Sequence, residues 1–103
     1  MATKTPRQVK ESPLFQGKNE VIAYELTTTP WGGTPADVAV SLFDQDGTDV
    51  SSTKLSGSNS VDTDVITTKL VSGLSAGAWY RLEIQWTYSG NTLEAYAIIY
   101  GEE

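Results

Sequence analysis

The chain has no cysteine and no histidine. Without cysteine there is no disulfide, no thiolate metal ligand and no thiol nucleophile. Without histidine the usual general base near neutral pH is missing, and so is the commonest metal ligand. Catalysis would fall to carboxylates, Lys, Tyr or Ser alone, so a binding or structural domain is expected rather than an enzyme. Long apolar runs are also missing; none approaches the ~20 residues of a membrane helix. Positive charge is scarce beyond the start of the chain. Residues 1–18 hold Lys4, Arg7, Lys10 and Lys18 against Glu11, a net of +3. The remainder holds Lys54, Lys69 and Arg81 against twelve acids, a net of −9, which makes −6 overall. An acidic body lacks the clustered Lys and Arg of a nucleic-acid footprint. Neither nucleic acid nor a membrane is expected as a partner. Met1 to Pro13 contains no apolar core of a secretory signal, so the chain reads as cytoplasmic at synthesis.

What is present is alternation. From Tyr80 onward, Tyr80, Leu82, Ile84, Trp86 and Tyr88 share one parity, and Arg81, Glu83, Gln85 and Thr87 share the other. Successive side chains of a strand point to opposite faces, so this is a long strand with one buried face. Val21 to Leu26 predicts another strand, with Ile22, Tyr24 and Leu26 inward. Pro35 to Asp44 alternates Val38, Val40 and Leu42 against Ala39, Ser41 and Phe43. Short strands are expected at Asp49–Leu55 and at Asp64–Val71, the latter with Ile66, Thr68 and Leu70 on one face. Thr92–Tyr100 closes the sheet, and a further strand is open at Leu14–Phe15. Turn residues separate these segments: Pro30 with Gly32 and Gly33, Asp46-Gly47, the Ser56–Ser60 loop and Ser89-Gly90-Asn91. No helix is convincing. The pattern predicts an all-β fold, an antiparallel β-sandwich of about seven strands. At 103 residues this is one domain, residues 14–103, preceded by a flexible tail at 1–13.

Three constellations bear on function. Asp44, Asp46 and Asp49 surround Gly47 and have the oxygen chemistry of a Ca²⁺ loop. Their order does not fit an EF-hand, and Leu55 stands where its bidentate Glu belongs. A hairpin turn held by Asp and Gly is the plainer expectation, with no metal and no cofactor. Glu25, Glu83 and Glu94 lie within strands; nothing in their spacing forms the carboxylate pair of a glycosidase, and pairing with Arg81 across strands accounts for them better. The aromatics are the third. Trp79 has the parity of Arg81 and Glu83 and should face outward. Trp31 lies in a Pro-Trp-Gly-Gly loop, open to contact or covered by the tail. An exposed Trp suits a sugar ring or a protein partner. Trp31, Trp79 and Arg81 are the candidate partner-binding residues.

Two resemblances follow. Leu74 and Tyr80 stand six residues apart across Ser-Ala-Gly-Ala-Trp. That spacing resembles the tyrosine corner of immunoglobulin-like and fibronectin type III sandwiches, in which the Tyr hydroxyl returns to the upstream backbone. The fibronectin likeness is confined to this corner, where its usual Pro and Thr are Ala76 and Ala78. Residues 10–102 also resemble small immunoglobulin-like proteins of phages and prophages, the group that includes fibre–tail adaptors. The residues that carry this are Lys10-Glu11-Ser12-Pro13, Ala39-Val40-Ser41-Leu42-Phe43-Asp44, Asp46-Gly47-Thr48-Asp49-Val50, Val71 to Leu82 and Ser89-Gly90-Asn91-Thr92-Leu93-Glu94. The resemblance implies an immunoglobulin-like sandwich serving as a structural or adaptor part of a virion, in contact with its own copies or other virion proteins. It brings no catalytic residues. The alternative is a carbohydrate- or surface-binding module using Trp31 and Trp79. A third class, a Ca²⁺-stabilised extracellular domain, depends on the Asp44–Asp49 cluster.

Overall fold

The computed structural model describes residues 13–103, apart from the side chain of Trp31. The expected tail lies outside the described residues except for Pro13, which is exposed. Nine strand segments follow: β1 (Leu14–Gly17), β2 (Glu25–Thr27), β3 (Ala36–Asp44), β4 (Leu55–Ser56), β5 (Ser60–Asp62), β6 (Val65–Thr67), β7 (Leu70–Val71), β8 (Trp79–Tyr88) and β9 (Asn91–Glu102). A 3-10 turn at Thr29–Trp31 precedes β3, and a single α-helical turn, α1 (Ser51–Lys54), precedes β4. The all-β expectation holds.

The largest sheet has the order β1-β9-β8-β3. Its centre is the β8–β9 hairpin, ten residues of each strand paired in register from Trp79↔Tyr100 to Tyr88↔Asn91. Ser89 and Gly90 make the turn with φ of 52° and 82°. Positive φ at both central residues matches the twist of the flanking strands. Along β8 the alternation runs as expected: Tyr80, Leu82, Ile84 and Trp86 are buried, while Arg81 and Glu83 are half-exposed. On β9 the inward positions opposite Leu82 and Ile84 are small, so large and small side chains face each other: Leu82↔Ala97 and Ile84↔Ala95. β3 adds Val40 and Leu42 to the same face. β1 lies on the far edge and runs parallel to β9, Leu14↔Ile99 through Gly17↔Glu102. The expectation of an antiparallel fold fails at this one strand.

The remaining strands form a three-stranded ladder, β2-β6-β5, and a two-stranded one, β4-β7. Val71 pairs with Leu55 and is bridged by Ile22 on its other side, so the two ladders follow the same path. Leu26, Ile66 and Val71 from these strands share one hydrophobic cluster with Leu42, Leu82, Ile84, Trp86 and Ile99 of the large sheet. Removal of this apolar surface from water is the main favourable contribution, ~25 cal/mol per Å².

Four local expectations give way. Val21–Leu26 is not one strand: β2 begins at Glu25, Ile22 makes only an isolated bridge to Val71, and Ile22 and Tyr24 are half-buried. Asp49–Leu55 is not a strand: the Asp49 carboxylate accepts the Ser51 amide at 2.9 Å, and the Lys54 amide reaches Val50 O at 3.0 Å, closing a helical turn. Leu70 does not face inward with Ile66 and Thr68. It is exposed, and Val71 is buried in its place. The cause is a break in the ladder. Thr68 Oγ1 accepts the Tyr24 amide at 3.0 Å and Asn59 Oδ1 accepts the Lys69 amide at 3.1 Å, so side chains replace backbone partners and the face switches. Tyr88 leaves the core parity at the end of β8. Its ring lies on Gly32 and Gly33, where a Cβ at Gly32 would come within 2.4 Å of it.

Two polar side chains join the large sheet to the smaller ladders. Gln16 is fully buried; its Nε2 donates to Val71 O at 2.7 Å and to Glu20 O at 3.0 Å, and its Oε1 accepts the Tyr24 hydroxyl at 2.7 Å. On the opposite edge Asn59 Nδ2 donates to Val38 O of β3 at 3.4 Å while its Oδ1 holds Lys69. The corner before β8 is tied differently. The Ser75 amide donates to the buried Tyr80 hydroxyl oxygen at 2.9 Å. Gly101 passes directly beneath this corner, where a Cβ would stand 2.2 Å from Ser75 O.

Tyr80→Phe removes the acceptor of the Ser75 amide and should cost about 1–3 kcal/mol in urea denaturation. Tyr24 supplies a pH signature. Burial first, and the nearby Glu20 second, push its hydroxyl up to about 12 from 10.0. The folded state therefore keeps this proton while the unfolded chain loses it. Stability should be complete below pH 10 and fall as pH rises from there towards 12. In Tyr24→Phe that part of the decline should vanish from the pH dependence of thermal melting.

Candidate functional site

The outward face of the large sheet is set by the alternation that builds the core. Because Tyr80, Ile99 and Gln16 point in, their neighbours Trp79, Tyr100 and Phe15 point out. Register places these three side by side: Phe15↔Tyr100 across β1 and β9, Tyr100↔Trp79 across β9 and β8. All three are exposed, Phe15 by 59%, Tyr100 by 41% and Trp79 by 38%. The Phe15 and Tyr100 rings stack at 5.7 Å between centroids with 22° between planes. They stand up from the sheet with faces turned to each other. The Trp79 amide donates to Gln45 Oε1 at 3.3 Å, which fixes the start of β8 against the β3 hairpin.

One row further along lie Phe43, Arg81 and Ile98. The Arg81 guanidinium covers the Tyr96 ring, 4.0 Å from its centroid. Its Nε is 2.7 Å from Glu83 Oε2, an ionic contact that lacks the alignment of a hydrogen bond. A half-exposed pair of this kind adds little stability, and the cation–π contact holds the guanidinium flat on the sheet. Glu83 thus meets Arg81 along its own strand and not across strands. Glu94 accepts from Gln85 Nε2 at 3.1 Å. Glu25 sits on the exposed side of β2, in a different ladder. The three glutamates do not converge on a cleft.

The sequence-predicted trio is only partly brought together. Trp79 and Arg81 share this face. Trp31 closes the 3-10 turn at the opposite end, next to the Gly32–Gly33 backbone that Tyr88 covers, and its side chain lies outside the described residues. The length of β8 separates the two Trp positions, roughly 30 Å at strand rise. Phe15 and Tyr100 complete the row and were not singled out by sequence reasoning. The signal for Tyr100 was present in the parity of Tyr96, Ile98 and Tyr100 against Ala95, Ala97 and Ile99.

The acidic hairpin is occupied by its own backbone. Asp44 Oδ1 accepts the amides of Asp46 at 3.0 Å and Thr48 at 2.9 Å. Asp49 is held below the usual carboxylate range by the Ser51 hydroxyl first and the Ser51 amide second. Among the described residues no group of three His, Cys, Asp or Glu is placed to hold a metal ion. No helix of the described residues is long and apolar enough to cross a membrane.

Compared with known proteins, the chain matches no family model, no curated protein and no solved structure.

A Ca²⁺ shell needs several oxygens converging on one point, and these carboxylates do not converge. Calorimetric titration with Ca²⁺ should show no binding at micromolar strength, and Asp46→Asn should leave the trace unchanged. A micromolar isotherm that disappears in this variant would show a Ca²⁺ loop instead.

Proposed function

We propose that this chain is a non-catalytic structural or adaptor module, a part of a phage or prophage virion at the tail or head–tail junction, working through protein–protein contacts. The scaffold is read as an immunoglobulin-like β-sandwich. Support for that reading comes from the Tyr80–Ser75 tie at the corner and from two strand layers sharing one core. The observation that carries the function is the row Phe15–Tyr100–Trp79 beside Arg81 on an open sheet face. Aromatic residues and Arg are the types enriched where partners are anchored.

The same geometry weighs against the carbohydrate-binding alternative. A sugar ring stacks on a free aromatic face, and Phe15 and Tyr100 each turn one face to the other. The Trp31 and Trp79 positions, which that alternative uses, stand at opposite ends of β8, so one sugar ring does not span both.

The reading predicts two outcomes. Genes flanking the coding sequence should specify capsid and tail proteins, and the purified domain should give no signal on a glycan array. Flanking genes for secretion or glycoside breakdown, with array binding lost in Trp79→Ala, would replace the adaptor with a surface-binding module.

A further inference from the structure

We infer that the outer edge of residues 21–27 is a docking site for an extended, basic segment of a partner protein, taken up as an added strand. This rests on the adaptor reading and supplies a contact apart from the aromatic face.

The bonds already made fix where the backbone groups of this segment point. The Ile22 amide donates to Val71 O at 3.0 Å, and the Tyr24 carbonyl accepts the Thr68 amide at 2.8 Å. Leu26 pairs with Ile66, and the Thr28 amide donates to Asp64 O at 2.7 Å. Even-numbered residues therefore turn their amides and carbonyls to one side. In extended backbone successive residues alternate, so the groups of Val21, Ala23, Glu25 and Thr27 face the other way. Among the described residues no strand lies there, because β2 is the outermost of its ladder. Val21, Glu25 and Thr27 are exposed and Ala23 is half-exposed, so the row is within reach.

A bare edge of this kind draws in other strands, and proteins ordinarily blunt it. Two other outer edges are blunted here. On β3 the Leu42 amide donates to Ser51 Oγ at 2.9 Å, its carbonyl accepts the Val50 amide at 2.8 Å, and Asn59 holds Val38 O. On β1 the Gly17 amide donates to Glu20 Oε1 at 2.6 Å. Residues 21–27 carry no such device. They contain no Pro, no Lys and no positive φ, and Glu25 is their one charge.

Charge selects the occupant. The described residues carry Lys18, Lys54, Lys69 and Arg81 against twelve acids, a net of −8. Glu20 stands at the head of the edge and Glu25 within it, and neither is in an ion pair among the described residues. Lys18 is paired with Glu103 at 3.5 Å, and the Lys69 amide is turned to Asn59 on the far side of its strand. A second copy joined through the same edge would bring two bodies of −8 together, with no cation in either segment to face Glu25. A basic strand meets the opposite situation. Its Lys or Arg would face Glu25, its apolar side chains would cover Val21 and Ala23, and its backbone would bond the row as in other cases of strand addition.

An octapeptide alternating Val and Lys, titrated into the full chain and followed by amide hydrogen exchange in NMR, tests the site. Exchange should slow by about tenfold at Val21, Ala23, Glu25 and Thr27 and stay unchanged at Tyr24 and Leu26. Replacing the peptide's Lys by Glu should weaken binding by about tenfold, and Glu25→Lys should reverse that preference. Ala23→Pro removes an outward donor and no inner bond, so a folded variant should bind more weakly. If Ala23→Pro does not fold, Glu25→Lys reads the same site. No binding, protection that does not alternate along the segment, or equal binding of the Lys and Glu peptides would overturn the inference. The adaptor reading stands or falls separately, on the flanking genes and the glycan array.

Discussion

The rest of the structure hangs on the buried amide of Gln16. A polar side chain with no contact to water costs free energy unless each of its groups is bonded. Here both donor positions and the acceptor are used, on Val71 O, Glu20 O and the Tyr24 hydroxyl. These partners belong to the smaller ladders or to the connection leading to them, whereas Gln16 belongs to the edge of the large sheet. One side chain therefore closes the core on the β1 side, as Asn59 does on the β3 side. The same bond determines the surface. With Gln16 held inward, Phe15 has only the outward face, and the stack with Tyr100 follows.

Core and outward face are in this sense one feature seen from two sides. Each residue that packs inward on β8 and β9 sends its neighbour out, so the sequence of the core dictates where the aromatics surface. The small inward side chains Ala95 and Ala97 make room for Leu82 and Ile84, while the outward positions of the same strand, Tyr96, Ile98 and Tyr100, are large. A strand whose bulk is divided this way, small within and large outside, places much of its apolar surface where another molecule can cover it.

Much of this was legible in the residues, and the failures have physical causes. Period-two alternation located β3, β8 and β9 and the inward set Tyr80, Leu82, Ile84 and Trp86, because a one-residue slip would drown that entire face. The corner was legible from the Leu74–Tyr80 spacing, since a hydroxyl can return only over a fixed distance. Alternation misled where side chains took over backbone bonds. At Thr68 and Lys69 the ladder is carried by Thr and Asn side chains, and the parity shifts so that Val71 replaces Leu70. At Ser51–Lys54 an Asp and a Ser supply local bonds that favour a helical turn over extension. The outward aromatic face was half legible. Trp79 and Arg81 follow from parity on one strand. Their union with Phe15 depends on which strand lies beside β9 and in which direction it runs, and no local pattern holds that information.

The direction of β1 has a mechanical meaning. Since β1 and β9 run parallel, tension applied at Pro13 and Glu103 pulls the two strands past each other along their length. Their hydrogen bonds, from Leu14↔Ile99 to Gly17↔Glu102, are then loaded together in shear. An antiparallel pair pulled from the same ends would open like a zip, one bond at a time. A domain strung between neighbours through its two ends would thus resist extension as a clamp, with Gln16 as the pin that keeps the shearing strand seated.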